Sequence, residues 1–264
     1  MERNPYPSDL TEIQWDNIEH LFPPPKPGGR PRKYTNLELV NAIFYILRTG
    51  VQWRLLPHDF PPWESVYGYY SRWRQAGIWK GVHDGLVMTI RECDGRDPQP
   101  SAAILDSQTT KTTEQGGPRG YDAGKKVLGR KRHILVDTLG LILAVVVHPA
   151  DIQDRDGARL VLEKVRKYLP RLQLIWADGG YAGQLVDWVH SRCGWLLQTV
   201  LRPVGVQGFV VLPRRWVVER TFGWLGRYRR LSKDYERLTI TSETMIYIAM
   251  IHRMSRNLLP EPAI

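Results

Sequence analysis

The chain changes its hydrophobic rhythm about a third of the way along. Before residue 94, apolar residues recur at helical spacing. Leu37, Val40, Ile43, Phe44 and Leu47 fall on one face, after Thr35-Asn36 and before Gly50, which predicts a capped amphipathic helix. A shorter helix is expected from Thr11 to Leu21, with Thr11 as its N-cap. After VQWRLLP and a Pro-rich turn, WESVYGYYSRWRQAGIW predicts a helix starting near Trp63 or Ser65 and stopping at Gly77. His83 to Arg91 predicts another. Tyr70 and Trp73 are expected to face the core. Short helices joined by tight turns make an all-α unit compatible with a helix-turn-helix.

After Ser101 the pattern becomes one of short apolar runs. AAILD predicts a strand ending at Asp106, and Arg132–Val136 and Leu141–Val147 predict a hairpin turning at Asp137–Gly140. Asp154 to Tyr168 reads as an amphipathic helix with Asp154 capping it, and His148 is expected at a strand end. LQLIWAD is a strand ending at Asp178. Gly183–Arg192 suits a helix and Trp195–Val200 a strand. Arg214–Leu231 predicts a long Arg-rich helix, and Ser242–Leu258 a final one. The order β-β-β-α-β-α-β-α argues an α/β fold in which helices flank a mixed sheet. That order is RNase H-like. Two breaker-rich stretches, 22–33 (FPPPKPGGRPRK) and 94–101 (DGRDPQPS), punctuate the chain. They predict a helical domain over 1–93, with a Pro/Gly/basic linker at 22–33, and an RNase H-like domain over 94–264.

Charge changes the picture from fold to partner. The 264 residues carry a net charge of +10, and the pI is about 9.7. That balance suits a polyanion, most simply nucleic acid or an anionic membrane surface. A membrane partner is not expected. The longest strongly apolar run, Leu141–Val147, has seven residues, against the roughly 20 of a spanning helix. The start, MERNPYPSDL, has no apolar signal core, so the expected location is cytoplasmic and nucleoid-associated. Cys93 and Cys193 form no CxxC pair; both are expected to be buried small hydrophobes.

Three acids stand where this topology would bring them together. Asp106 and Asp178 follow apolar strand runs, and Glu219 lies on the late helix. Carboxylates are the hard ligands that Mg²⁺ prefers, and a metal pair about 3.5–4 Å apart can neutralise both oxygens of a phosphoryl displacement. ILDSQ, ADGGY and RWVVERTFGWLGRYRRLSKDYERL resemble the three acidic motifs of DDE transposases from bacterial insertion sequences, in the branch grouped as families four and five. GVQWRLLP, FPPWESVYGYYSRWRQAGIW and GYDAGKKVLGRKRHILVD are similar to the same group, and the resemblance covers about residues 8 to 258. It implies that Asp106, Asp178 and Glu219 are catalytic and hold two Mg²⁺ ions, with Mn²⁺ as a substitute. It also implies a Tyr-Arg-Glu-Lys signature around the glutamate. Here Arg215 and Glu219 keep that spacing, but Leu212 stands at the tyrosine position and Gly226 at the lysine position. The phosphate-holding role of the lysine would then pass to Arg215 and Arg227, four residues before and eight after Glu219 on one helical face. Only 41 positions separate Asp178 from Glu219, which leaves no room for an inserted β-domain.

Further DNA contacts are expected in four places. Arg119, Lys125, Lys126, Arg130, Lys131 and Arg132 crowd a glycine-rich stretch that would be a flexible basic loop beside Asp106, a natural backbone clamp. Arg72 and Arg74 lie on the predicted helix that could enter a major groove. Arg30 and Arg32, in GRPR, resemble a minor-groove hook, or form a plain linker. Arg230 extends the basic end of the late helix. The expected activity is transposition: binding of terminal inverted repeats, cleavage to free a 3′-OH, and joining of that end to target DNA, with double-stranded DNA as partner and a homodimer or higher oligomer on it. A non-catalytic repressor derived from a transposase, or an RNase H-like nuclease without strand transfer, would share much of this sequence.

Overall fold

A computed structural model describes residues 3–24, 28, 32–200 and 214–258. Arg30 and Leu212 therefore lie outside the described residues, as does much of the 22–33 stretch.

The helical third begins with α1 (Glu12–Asp16), a 3-10 turn over Glu19–Leu21, α2 (Asn36–Thr49), α3 (Trp63–Gln75) and α4 (Ile78–Cys93). Thr11 and Thr35 cap α1 and α2, each in a reciprocal capping box with the residue three positions on. Gly50 ends α2 at φ 73°, in the left-handed region where a side chain is costly. Tyr70 and Trp73 of α3 are buried, as the apolar spacing predicts. The helix expected over His83–Arg91 is longer, because Gly77 at φ 71° turns the chain directly into α4.

The rest is β1 (Ala102–Lys111), β2 (Gly120–Asp122), β3 (Val127–Asp137), β4 (Ile142–Pro149), α5 (Asp154–Val165), β5 (Leu174–Asp178), α6 (Gln184–Cys193), β6 (Leu196–Val200), α7 (Trp216–Leu225) and α8 (Thr239–Asn257). Along one sheet the order is β4-β3-β1-β5-β6, with short β2 sharing the β4 edge of β3. Strand β3 is antiparallel to β1 and β4, whereas β5 and β6 run parallel to β1. This is the mixed, helix-flanked RNase H-like order that the pattern of elements predicts.

Four expectations need correction. Strand β1 does not end at Asp106 but continues to Lys111, because its polar half SQTTK pairs with β3 down to Lys111↔Gly129. The Arg-rich helix stops at Leu225 with Gly226 at its C-cap, and a separate 3-10 turn holds Arg229–Leu231. Asp154 is the first residue of α5 and not its cap, which is Gln153. Cys93 is exposed and Cys193 half-buried.

Helix α8 joins the two parts of the chain. It packs on β4 and also on α2 and α4. Its Ile246, Ile248, Met250, Ile251 and Met254 are buried, worth roughly 1.5–3 kcal/mol each by transfer alone. The buried side chains of the N-terminal helices and of the sheet form one continuous apolar cluster. Arg91 of α4 and Asp137 of the β3–β4 turn form a buried ion pair inside it.

Candidate active site and nucleic-acid interface

Register brings the two aspartates together. Parallel pairing of β1 with β5 matches Ile104 to Trp176. The ladder ends there, and two residues further on Asp106 and Asp178 bring their Oδ2 atoms to within 3.8 Å of one Arg215 nitrogen. Helix α7 packs against β1 and presents Glu219 from its first turn.

Each aspartate is anchored by one oxygen and offers the other. Asp106 Oδ1 accepts a hydrogen bond from the Ser107 backbone N–H at 2.7 Å, and Asp178 Oδ1 accepts one from the Gly180 N–H at 2.8 Å. The free oxygens converge on Arg215. Its Nη2 lies 3.7 Å from Asp106 Oδ2, 3.8 Å from Asp178 Oδ2 and 3.7 Å from Glu219 Oε1. These distances exceed hydrogen-bond range, so a positive charge sits among three carboxylates without being tightly bonded to any. Burial pushes the Asp106 carboxyl up to about 6, against the opposing pull of the Ser107 N–H and the Arg215 guanidinium.

The donor set fits a hard divalent cation. It consists of three carboxylates, two of them rigidly held, facing a point already occupied by a cationic nitrogen. With Arg215 between them the acids are spread apart. Among the described residues no three His, Cys, Asp or Glu side chains stand together at metal-holding distance.

The basic residues divide into two groups. Arg119, Lys125 and Lys126 are exposed on and around the β2–β3 hairpin, and Lys125 Nζ approaches the Ser107 carbonyl at 3.5 Å. The other three are not on a flexible loop, because β3 has already begun. Arg130 is fully buried: it pairs with Asp234 at 3.1 Å and donates to the carbonyls of Pro118, Glu236 and Arg237. Lys131 is buried and pairs with Asp154 at 3.1 Å. Arg132 is buried and donates to the Leu231 and Lys233 carbonyls. Arg230 is also held internally, by Glu236 at 2.7 Å. Arg227 lies beyond the C-cap of α7, so it does not share a helical face with Glu219, although it is exposed. Arg72 is exposed and stacks on Tyr69, Arg74 is half-buried, and Arg32 donates to Asn36 and Pro24.

The structure also marks residues that the sequence reading passed over. Arg220 lies between the rings of Trp216 and Trp224, 4.5 and 4.7 Å from their centroids, and Arg253 covers Trp224 at 3.7 Å. The i, i+4, i+8 spacing of Trp216, Arg220 and Trp224 was the available signal. Below the site, His148 Nδ1 faces the Pro149 carbonyl and must carry its proton. His148 Nε2 then accepts from His133 Nδ1 at 2.8 Å, and His133 Nε2 accepts from the Tyr181 hydroxyl at 2.9 Å. Both imidazoles are neutral in this chain, and burial lowers the His133 pKa to about 3. Gly157 of α5 fits against them: a Cβ there would come within 2.5 Å of either ring. The pair therefore pins the turn after Asp178 to β3, and His133 and His148 have no free nitrogen for a metal.

Among the described residues no helix is long and apolar enough to cross a membrane. A family model described as "Transposase DDE domain" matches residues 97–254. One described as "Putative transposase of IS4/5 family" matches residues 10–83. An uncharacterized 16.2 kDa protein of insertion element IS402 from Burkholderia cepacia is 32% identical over 114 residues, covering 40% of this chain and 75% of that protein. A putative transposase for IS402 from the same organism is 28% identical over 138 residues, covering 46% of this chain and 59% of that protein. The crystal structure of the Mos1 strand transfer complex aligns with 88% of this chain and 78% of its own at 11% identity, with a TM-score of 0.29. The DDE match takes in all three carboxylates and more than half of the sequence, and the chain belongs to the transposases with a DDE domain.

Proposed function

We propose that this transposase binds the terminal inverted repeats of its insertion sequence, cleaves DNA to expose 3′-OH ends and joins those ends to target DNA. The observation that carries the reading is the convergence of the free oxygens of Asp106, Asp178 and Glu219 on one cationic nitrogen. Asp106, Asp178 and Glu219 would hold two divalent ions, Mg²⁺ or in its place Mn²⁺, which neutralise charge on the attacking and leaving oxygens of an in-line displacement at phosphorus. The Ser107 and Gly180 backbone N–H groups orient the aspartates so that the reacting phosphate meets a fixed acid pair. Arg215, once displaced from the acids, is placed to grip a phosphate; its Nε is buried without a partner. Lys125, Arg119 and Arg227 offer exposed charge to the DNA backbone nearby. Cleavage and joining are both displacements by an oxygen nucleophile, so one site can serve both. The partner is double-stranded DNA, and synapsis of two ends calls for at least a dimer.

The test uses repeat DNA taken from the flanks of the reading frame. Asp106→Asn, Asp178→Asn and Glu219→Gln should each keep repeat binding and lose cleavage in Mg²⁺ by about a thousandfold or more, roughly 4 kcal/mol of barrier. Full cleavage by any one of them would overturn the triad. If the wild type cleaves intact repeat DNA but never joins a supplied pre-cut 3′-OH end to target DNA, the protein is a nuclease without strand transfer.

A further inference from the structure

We propose that the cavity beside the far half of β1 is a phosphate subsite, taking a backbone phosphodiester of the DNA next to the reacting one. This deepens the function proposed above and rests on it. The cavity is about 370 Å³. Its lining includes Gln108, Thr110 and Lys111 of β1, Arg132 of β3, and Gly226 and Lys233 of the segment after α7. Gln108 follows Asp106 by two residues, so both point to the same face of β1, about 6.6 Å apart. The cavity thus opens directly downstream of the carboxylates.

Its lining is built for an anion. No acidic residue lines it. Among the described residues the exposed Lys111 and Lys233 make no ion pair, and neither does Arg132. Arg132 is the decisive group. It is 2% exposed. Its Nη1 and Nη2 donate to the carbonyls of Leu231 and Lys233 at 2.8 and 3.2 Å, and its Nε has no partner. The two cations before it on the same strand are matched by acids, Arg130 by Asp234 and Lys131 by Asp154. Asp234 acts on Arg132 from a distance but makes no ion pair with it, and a buried charge without a direct counter-charge is costly. Burial accordingly pushes the Arg132 guanidinium down to about 10. A phosphate in the cavity would supply the missing charge to Arg132 and give Lys111 and Lys233 a shared ligand. Thr110 and Gln108 add uncharged donors on the same strand face. The Leu231–Lys233 segment, held by Arg132 through its carbonyls, would report whether the phosphate is bound.

The test replaces the two exposed lysines together, Lys111→Ala with Lys233→Ala. Arg132 is left in place because its loss would also free the Leu231 and Lys233 carbonyls. The first arm measures thermal unfolding in inorganic phosphate against chloride at matched ionic strength. Phosphate should raise the Tm of the wild type by several degrees more than that of the double variant. The second arm measures duplex affinity against salt. Losing the one phosphate that the two lysines share should make the slope of log K on log salt shallower by about 0.9, with Mn²⁺ affinity unchanged. If DNA binds and the slope moves by less than about 0.5, the subsite is overturned, whatever phosphate does. If the wild type binds no DNA, the proposed function falls, and the phosphate arm decides the cavity alone. Equal stabilisation of both proteins then overturns it, and loss of the effect in the variant supports it.

Discussion

Arg215 and Arg130 are both surrounded by polar groups, yet they are held in opposite ways. Arg130 has no exposed surface, one carboxylate at 3.1 Å and three carbonyls on its remaining donors. Arg215 has three carboxylates at 3.7 to 3.8 Å, none within hydrogen-bond range, and an unpartnered Nε. The first is a cation built into the structure; it ties β3 to the Asp234–Arg237 segment. The second is a cation resting in a cluster of acids that exceeds what one guanidinium can satisfy. Excess acid around a loosely held cation marks a site where the cation exchanges, and saturation marks one where it does not.

The sharpest way to break this contrast is to remove each arginine. Arg130→Met leaves Asp234 buried with neither its charge partner nor compensation for the freed carbonyls. Its unfolding free energy in urea should fall by about 3–5 kcal/mol. Arg215→Gln removes no tight bond and relieves nothing buried except its own Nε, so its cost should stay within about 1 kcal/mol. Its duplex affinity should weaken. Comparable losses of stability in the two variants would erase the distinction.

A smaller effect concerns the neutral groups that share the locked interior. His252 donates from Nε2 to the Ser8 carbonyl and accepts at Nδ1 from the Tyr228 hydroxyl, and burial lowers its pKa to about 4. The unfolded imidazole titrates near 6.5. Between those values the unfolded chain binds a proton that the native chain refuses, so unfolding takes up a proton and stability falls with pH. The loss begins below about 6.5 and is complete near 4, at roughly 3 kcal/mol for this group. Urea unfolding of His252→Gln should show a flatter pH profile over that window; an unchanged profile would mean that the native imidazole takes up its proton as readily as the unfolded one.

Much of this was legible in the residues. Apolar runs of four or five residues ending in Asp106 and Asp178 located two central strands, and the N-cap at Thr35-Asn36 and Gly50 marked both ends of α2. The aspartates were legible because a strand that enters the core must end its apolar run somewhere, and an acid there is conspicuous. The course of β1 past Asp106 was hidden because SQTTK carries no apolar period. Its strand character comes from pairing with β3, a contact more than ten residues away. The end of α7 was hidden because arginines are good helix formers; the chain turns at Gly226 so that Tyr228 and Leu231 can be buried. The basic run 130–132 looked like a flexible exposed loop because composition records charge and not burial. Asp234 and the carbonyls within residues 231 to 237 that hold Arg130 and Arg132 lie about a hundred positions downstream, and the Lys131 partner Asp154 lies at the start of α5.

The account rests on the exchange of Arg215 for divalent ions among the three acids, and direct Mn²⁺ titration tests it without DNA. By calorimetry or electron paramagnetic resonance at pH 7.5, the wild type should bind Mn²⁺, and Asp106→Asn, Asp178→Asn and Glu219→Gln should each weaken binding by about tenfold or more, at least 1.4 kcal/mol. Arg215→Gln should bind Mn²⁺ as tightly as the wild type or more tightly. Undiminished Mn²⁺ binding in the three acid variants, or loss of it in Arg215→Gln alone, would contradict the assignment of these carboxylates as the metal site.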